Sequence, residues 1–270
     1  MKKLCLKRTL ALAAALVMIL ALSACGGKTE NASGDLLAQI RAKGVITVAT
    51  EGDWSPWTYH DDTDALTGFD VELGQLIAEG LGVKAEFQET DWDAILAGVD
   101  SGRFDIACNG VDYTPERAEK YSFTTPYLYT KEVLVVRSDN EDIHSIEDLN
   151  GRSTANSPNS TYAEIAEEAG ATVTYVNTLV ETIQVLEQGR VDATINAKVS
   201  IEDYLAQHPD AGIKIVYETE GTSVCVPVRK SAETESLVNA VNEVLDSLRQ
   251  DGRLSALSEK YFGVNLTKAA

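Results

Sequence analysis

The residues that could carry catalytic chemistry are few in this sequence and lie far apart. Its three histidines, His60, His144 and His208, are scattered among polar residues without the spacing of metal ligands. The sequence contains no Gly-x-Ser-x-Gly motif and no arrangement that resembles a nucleophile beside its base. A single carboxylate in a cleft could still act as a general acid or base. These residues therefore favour a binding protein without a metal site, with an enzyme as the alternative.

Arg117 is the residue best suited to holding a small anionic group. It falls in the first turn of a short helix, for which Thr114 is the predicted N-cap and Pro115 the first helical residue. This helix follows a predicted strand, and loops at the C-terminal ends of parallel strands face a cleft. A guanidinium group pairs with a carboxylate through two parallel hydrogen bonds. A surface ion pair with a nearby acidic residue is the alternative role for Arg117.

Two further loops could complete a binding site. Trp54, Trp57 and Tyr59 lie within six residues of each other and could form the wall for a ligand side chain, although at least one of them could pack beneath the loop instead. In the loop at residues 157–161, Thr161 and Glu164 fit a capping box, and the free amides of such a helix start attract a carboxylate. An ordinary helix cap with nothing bound is the alternative there.

The elements that must position these residues include an internal repeat. Residues 92–109 and residues 179–196 align without gaps at an offset of 87 positions, and each segment predicts a helix that ends at glycine and leads into a short buried strand. The identical residues are Gly102 and Gly189, Arg103 and Arg190, Asp105 and Asp192, and Asn109 and Asn196. A unit repeated only once predicts two similar α/β lobes with a cleft between them, because a solenoid needs three or more repeats.

The order of elements supports two lobes. Strands are predicted at residues 45–50, 83–87, 104–109, 132–137, 153–156, 172–176, 191–196 and 221–229. Helices are predicted at 70–81, with Asp70 as N-cap and Gly82 as terminator, and at 235–249 and 254–262. Alternation of helix and strand predicts mainly parallel sheets. We expect lobe 1 to comprise residues 35–127 and 221–270, lobe 2 to comprise residues 128–220, and two strands to form the hinge.

The N-terminus has the pattern of a lipoprotein signal peptide. Four basic residues precede an apolar run from Leu10 to Leu22, which ends at Leu22-Ser23-Ala24-Cys25. The apolar run is shorter than the ~20 residues that a membrane span requires, which disfavours the alternative of an uncleaved membrane helix. We therefore predict a signal peptide at 1–24, lipid on the thiol of Cys25 and a flexible linker at 25–34.

Charge and cysteine content exclude several partners. Removal of residues 1–24 takes away four basic residues and no acidic ones, which leaves 19 Lys and Arg against 42 Asp and Glu and a net charge of −23. Nucleic acid is therefore not expected as a partner. With Cys5 in the signal peptide and Cys25 lipidated, only Cys108 and Cys225 remain. We expect two buried thiols, with a single disulfide as the alternative.

Several ordered motifs resemble one family. Residues 40–265 contain Gly68-Phe69-Asp70-Val71-Glu72-Leu73, Trp92-Asp93, Ser101-Gly102-Arg103-Phe104-Asp105, Thr114-Pro115-Glu116-Arg117, Phe123-Thr124-Thr125-Pro126-Tyr127 and Lys260-Tyr261-Phe262-Gly263. Each motif is weak alone, but the ordered set resembles the polar amino-acid family (family 3) of ABC-transporter solute-binding proteins. The resemblance implies a type II periplasmic-binding-protein fold, no cofactor, and delivery of an amino acid to an ABC permease. We expect a monomer, anchored by lipid at the extracytoplasmic face of the cell membrane.

The resemblance also implies roles for individual residues. The family's carboxylate-binding arginine falls on Arg117, and its second-lobe carboxylate contact falls on Ser160 or Thr161. Positions that match Trp54 and Trp57 line the ligand side chain. The segment of backbone and hydroxyl contacts falls on Asn109, Gly110 and Asp112.

Two positions depart from the family pattern. Residue 112 is more often Ser or Thr, and the second-lobe Asp that commonly accepts the ligand ammonium falls on Ala197. We therefore predict that Asp112 supplies the compensating charge, helped by the amide oxygen of Asn196, with Glu51 or Asp53 as alternatives. A simple cap of the nearby helix is the other role open to Asp112.

Several ligands and several functional classes agree with these residues. The ligand could be glutamine, cystine, another polar amino acid or a basic one. Proteins of this fold also include enzymes, such as small-acid dehydratases, and tethered amino-acid sensors.

Overall fold

The computed structural model describes residues 34–269, and from Leu36 onward they form one compact unit. The predicted signal peptide, the lipidation site Cys25 and the linker up to residue 33 lie outside the described residues. Within residues 34–269, no helix combines the length and the apolar character that crossing a membrane requires.

Lobe 1 is built on a short parallel sheet. Its elements are α1 (Leu36–Lys43), β1 (Val45–Thr50), β2 (Asp53–Trp54), β3 (Thr58–His60), β4 (Leu66–Thr67), α2 (Phe69–Leu81), β5 (Lys84–Glu89), α3 (Trp92–Asp100) and β6 (Ile106–Ala107). The order in the sheet is β5-β1-β6, and both pairs are parallel. The predicted strand at 45–50 is confirmed, whereas only two residues of the predicted 104–109 segment pair as a strand.

Asp70 does not cap α2 as predicted. The N-cap is Gly68, and Asp70 lies inside the first turn. Its buried carboxylate accepts hydrogen bonds from the Tyr127 hydroxyl at 2.8 Å and from the backbone N–H of Gly110. The C-terminal prediction is confirmed, because Gly82 ends the helix in the left-handed conformation at φ 77°.

The chain then crosses to lobe 2 through α4 (Pro115–Lys120), β7 (Tyr121–Phe123), β8 (Leu128–Thr130) and β9 (Glu132–Arg137). The elements that follow are β10 (Ser153–Asn156), α5 (Thr161–Glu168), β11 (Thr172–Tyr175), α6 (Leu179–Glu187), β12 (Ala193–Ala197), α7 (Lys198–Gln207) and β13 (Ile213–Glu218). Their sheet has the order β11-β10-β12-β9-β13. The strands β11, β10 and β12 run parallel to each other, whereas β9, which enters from lobe 1, runs antiparallel to both β12 and β13.

The return segment contains two strands where one was predicted. These are β14 (Thr222–Val224), which pairs with β8, and β15 (Pro227–Arg229), which pairs with β7. Between them the backbone changes partners, since Cys225 donates to the carbonyl of Val111. The antiparallel pair β8 and β14 forms the two-strand hinge. The helices α8 (Glu235–Gln250) and α9 (Arg253–Phe262) then pack against lobe 1.

No disulfide is present within the described residues. Two apolar clusters lie in lobe 1, the larger of which also includes Ala197 and Val199 of lobe 2, and two smaller clusters cover the two faces of the lobe 2 sheet. Cys108 and Cys225 are both buried free thiols, and burial raises the pKa of the Cys225 thiol to about 12.

The internal repeat is expressed as a repeated set of contacts. α3 and α6 each end just before a left-handed glycine, Gly102 at φ 74° and Gly189 at φ 69°. Asp105 then accepts from the backbone N–H and the hydroxyl of Thr47, both at 2.7 Å. Asp192 accepts in the same way from Ser153, at 2.8 and 2.7 Å. The repeated aspartate therefore ties the segment after the helix to a neighbouring parallel strand, β1 in lobe 1 and β10 in lobe 2.

Candidate ligand-binding site

A cleft lies between the two lobes, and its free volume is about 40 Å³, which leaves room for only a few water molecules while the lobes are together. Lobe 1 lines it with Glu51, Asp53, Trp54, Trp92, Gly110 and Asp112. Lobe 2 lines it with Ser157, Ser160, Thr161, Tyr162, Asn177, Thr178, Leu179 and Asn196. The structure thus brings together six of the predicted site residues and places Trp57, Asn109 and Arg117 around them.

Asp112 forms a direct bridge across this cleft. Its carboxylate accepts a hydrogen bond of 2.6 Å from the Thr161 hydroxyl, and its side chain is buried. The pKa of Asp112 is raised to about 7, chiefly by burial and next by the charge of Glu132, against the opposing effects of the Thr161 hydrogen bond and Arg117. A carboxylate held in this way gains stability when a cation enters the cleft.

Arg117 lies beside the lining residue Asp112 but does not itself line the cleft. Thr114 caps its short helix by accepting from the Arg117 N–H at 3.1 Å. The guanidinium donates to the backbone carbonyls of Asp112 at 3.2 Å and Asn159 at 3.1 Å, and it lies 5.5 Å from the Trp92 ring. Among the described residues no salt bridge is formed by Arg117, so its contacts differ from the surface ion pair considered above. Its positive charge stays available to a ligand anion.

Glu51 is a second carboxylate of the cleft and is partly buried. Its Oε2 accepts from the Asn109 side-chain N–H at 2.6 Å, and burial raises the pKa of Glu51 to about 8, with Asp53 and Asp91 adding to the shift. Asn109 in turn accepts from the Glu51 backbone N–H at 2.8 Å. Asn109 therefore lies behind the lining residues and orients Glu51. We expected Asn109 itself to contact the ligand.

The aromatic wall contains one of the two predicted tryptophans. Trp54 lines the cleft, whereas Trp57 is fully buried behind it, with the ring centroids 5.2 Å apart and the planes 13° from parallel. Gly110 leaves space for the Trp54 ring, since a Cβ atom at residue 110 would lie 2.6 Å from that ring. Gly110 also has a φ of 57°, which favours glycine. The prediction that Trp57 lines the ligand side chain is thus corrected: Trp57 supports Trp54 from the core.

The start of α5 differs from the predicted capping box. Ser160 is the N-cap, and its hydroxyl accepts from the Ala163 N–H at 3.1 Å. Thr161 is the first helical residue, which leaves its hydroxyl free to bond Asp112. Asn196 also lines the cleft, but its Oδ1 accepts from the Ala197 N–H at 2.9 Å. The amide oxygen expected to help with a ligand ammonium is therefore already engaged.

Trp92 and Leu179 are lining residues that the sequence argument did not select. They are the first residues of α3 and α6 and occupy equivalent positions in the repeat. The repeat itself held the signal, because two equivalent helices in facing lobes present equivalent positions to the cleft. Asn177, Thr178, Ser157 and Tyr162 complete the lobe 2 side and carried no such signal.

The chain resembles known proteins over nearly all of its described length. Residues 46–264 match the family described as bacterial extracellular solute-binding proteins, family 3. The L-cystine-binding protein TcyA of Bacillus subtilis is 42% identical over 260 residues, which cover 93% of this chain and 96% of the relative. A probable amino-acid ABC transporter-binding protein of Haemophilus influenzae is 41% identical over 89% of this chain and 93% of its own.

Two solved structures show how the lobes of similar proteins are arranged. An ancestral arginine-binding protein bound to arginine has a TM-score of 0.76 at 35% identity, covering 82% of this chain and 99% of its own. The L-cystine receptor of Neisseria gonorrhoeae, unliganded and open, has a lower TM-score of 0.58 at a higher identity of 39%, covering 87% and 100%. In this chain, direct hydrogen bonds join the two lobes across the cleft, from Thr161 to Asp112 and from Arg117 to the Asn159 carbonyl.

Proposed function

The chain belongs to family 3 of the bacterial extracellular solute-binding proteins and binds an amino acid outside the cytoplasm for an ABC transporter, and we propose that this amino acid is L-cystine. It acts as a binding protein and not as an enzyme. The proposal rests on the carboxylates that line the cleft together with the similarity to TcyA.

The cleft contains carboxylates on two different loops, the buried Asp112 and the partly buried Glu51, with Arg117 beside Asp112. An amino acid with one ammonium group needs only one acidic partner, whereas L-cystine has an ammonium group at each end. We propose that Arg117 holds one ligand carboxylate, that Asp112 pairs with the adjacent ammonium, and that Glu51 pairs with the second. From lobe 2, Thr161 and the start of α5 contact the same ligand carboxylate that Arg117 holds.

Arginine is the second candidate ligand. Its guanidinium would serve as the second cation beside Glu51, and solved relatives include proteins bound to arginine. The apolar surfaces of Trp54, Trp92 and Leu179 distinguish the candidates less clearly, because a disulfide and an aliphatic chain both pack against aromatic rings.

A thermal-shift and calorimetric panel of L-cystine, cysteine, arginine and glutamine tests the proposal. A ligand present at 100 times its Kd stabilises the folded protein by about 2.7 kcal/mol. Dithiothreitol provides the control, because it reduces cystine to cysteine while the described part of this chain contains only free thiols. We expect a cystine shift that dithiothreitol abolishes. A larger shift with arginine, unaffected by dithiothreitol, would transfer the proposal to arginine.

Variants separate the roles of the charged residues. Arg117→Ala should weaken binding of the amino acid and of its deaminated analogue to the same extent, by roughly 2–5 kcal/mol, because both ligands carry the carboxylate. Asp112→Asn should weaken binding of the amino acid strongly and leave the affinity for the deaminated analogue nearly unchanged. Equal losses for both ligands in Asp112→Asn would assign the ammonium to Glu51 or Asp53 instead.

We further propose that the chain is processed to a lipid-anchored monomer. The sequence of residues 1–25 supports removal of residues 1–24 and a lipid anchor on Cys25 in the membrane. The protein then acts as a monomer whose lobes comprise residues 35–127 with 221–270, and 128–220.

A further inference from the structure

One hydrogen bond between the lobes lies outside the ligand cleft. The indole Nε1–H of Trp57 in lobe 1 donates to the Ser200 hydroxyl in lobe 2 over 3.1 Å, and both side chains are fully buried. Neither residue lines the cleft. This contact differs from the bridges made by Asp112 and Arg117, which use the groups proposed to hold the ligand.

Trp57 is held firmly within lobe 1. Its backbone carbonyl accepts from the Asp70 N–H at 2.9 Å, at the start of α2. Its ring packs edge-on against Phe69 at 6.0 Å and lies 5.0 Å from Phe262 of α9. Trp54 stacks on its other side and forms the cleft wall. The indole therefore cannot follow lobe 2 when the lobes separate.

Ser200 is held equally firmly within lobe 2. It lies in α7, directly after β12, and the next residue, Ile201, is buried in one of the lobe 2 clusters. Ala197 and Val199, at the start of the same helix, pack against the core of lobe 1. Opening of the cleft must separate these surfaces and expose both hydrogen-bonding groups to water.

We propose that the Trp57–Ser200 hydrogen bond is a latch that stabilises the closed state, which makes Trp57 a positioning residue that increases ligand affinity without touching the ligand. A bond that exists in only one of two conformations shifts their equilibrium by its own free energy. The latch stabilises the closed state with or without ligand, and in the bound protein it slows ligand dissociation. Trp57 also carries Trp54, which couples the latch to the cleft wall.

The experiment compares Ser200→Ala, Trp57→Phe and the double variant. Each single variant leaves one buried partner unpaired in the closed state only, and we expect about a 3- to 10-fold weaker ligand affinity, since a net hydrogen bond contributes modestly. The loss should appear in the dissociation rate measured by stopped flow. The double variant should bind no more weakly than the weaker single variant, because removal of both partners leaves neither unpaired.

Ser258→Ala is the matched control. Ser258 is a fully buried serine whose hydroxyl bonds the Val264 carbonyl at 2.7 Å, entirely within lobe 1. Its loss should lower the free energy of unfolding without changing the ligand dissociation rate. Equal affinities of Ser200→Ala and Ser258→Ala would overturn the latch, and so would a double variant whose loss is the product of the two single losses.

The ligand measurements rest on the proposed function, and small-angle scattering of the ligand-free protein does not. If the wild type binds no amino acid of the panel, the proposed function fails and scattering alone decides the latch. A more compact ligand-free wild type than Ser200→Ala would support the latch. Identical profiles for the two proteins would contradict it.

Discussion

At the scale of single residues, burial gives two ordinary carboxylates an unusual property. Asp112 and Glu51 have pKa values raised to about 7 and about 8, chiefly because the closed lobes exclude water from them. Each would therefore hold a proton near neutral pH in the ligand-free closed state. A ligand ammonium beside them would favour the ionised form, so that ligand binding releases protons.

This release predicts a pH dependence of both affinity and stability. Amino-acid affinity should fall as the pH is lowered below about 8, by at most about tenfold per pH unit for each carboxyl group that must lose its proton. The free energy of unfolding of the ligand-free protein should instead rise as the pH is lowered. Because the folded protein holds these protons at pH values where the unfolded chain has lost them, this contribution to stability is present at low pH and is lost as the pH rises through about 7 and 8.

Calorimetric titration between pH 5.5 and 8.5 checks the affinity, and buffers of different ionisation enthalpy count the protons released. The deaminated analogue is the control, because it carries no ammonium to pair with Asp112. An amino-acid affinity that is constant over this range, with no proton release, would show that neither carboxyl group changes its protonation on binding.

At the scale of elements, the repeated helix and strand unit explains why both lobes present a similar edge to the cleft. Asp105 and Asp192 occupy equivalent positions and accept equivalent pairs of hydrogen bonds, from Thr47 and Ser153. Each bond pair fixes the strand after the helix next to a parallel strand of its own sheet, β1 in lobe 1 and β10 in lobe 2. The repeated aspartates therefore have a structural role in positioning the loops that carry ligand-binding residues.

Loss of either repeated aspartate should lower the free energy of unfolding by similar amounts. Asp105→Ala and Asp192→Ala each leave a backbone N–H and a hydroxyl without their partner, at a cost of roughly 1–3 kcal/mol. Urea denaturation measures this cost. Asp139→Ala is the control, because Asp139 forms an exposed ion pair with Arg137 and its removal should change stability little. A stability loss confined to one lobe's aspartate would contradict an equivalent role.

At the scale of the whole molecule, the structure is a closed form sealed by direct contacts between lobes. Thr161 bonds Asp112, Arg117 bonds the Asn159 carbonyl and Trp57 bonds Ser200. The β8 and β14 pair is the flexible connection expected for hinge motion, since two short strands carry the chain between lobes. A ligand that contacts both lobes stabilises this closed form over an open one.

Ligand should therefore make the protein more compact in solution. Small-angle scattering with and without saturating L-cystine, or arginine if that ligand binds better, should show a smaller radius of gyration in the bound state. Arg117→Ala at the same ligand concentration is the control that separates closure from a general effect of the ligand. Superimposable wild-type profiles would exclude ligand-driven closure.

Membrane attachment should depend on Cys25 alone. Cys25→Ser should move the protein from the membrane fraction to the soluble fraction, because the lipid is attached through the thiol, and should leave ligand affinity unchanged. Fractionation followed by titration measures both properties. A serine variant that stays in the membrane fraction would contradict the proposed anchor.

The sequence by itself determined features that depend on local pattern. The strand at 45–50, the Thr114 cap and the Gly82 terminator follow from side-chain chemistry and backbone conformation within a few residues, and all are confirmed. The two-lobe architecture was predictable as well, because a repeat separated by 87 residues encodes the same α/β unit twice. The ordered motifs then indicated the family, and the net charge excluded nucleic acid as a partner.

Only the tertiary structure decided what each polar or aromatic side chain contacts. Asp70 looked like a helix cap, but distant Gly110 and Tyr127 offered its carboxylate better partners. Trp57 looked like a cleft wall, but stacking against Trp54 and the hydrogen bond to Ser200, 143 positions away, place it in the core. Such contacts join residues far apart in the chain, so neither periodicity nor spacing contains them. They depend on how the two lobes close around the cleft.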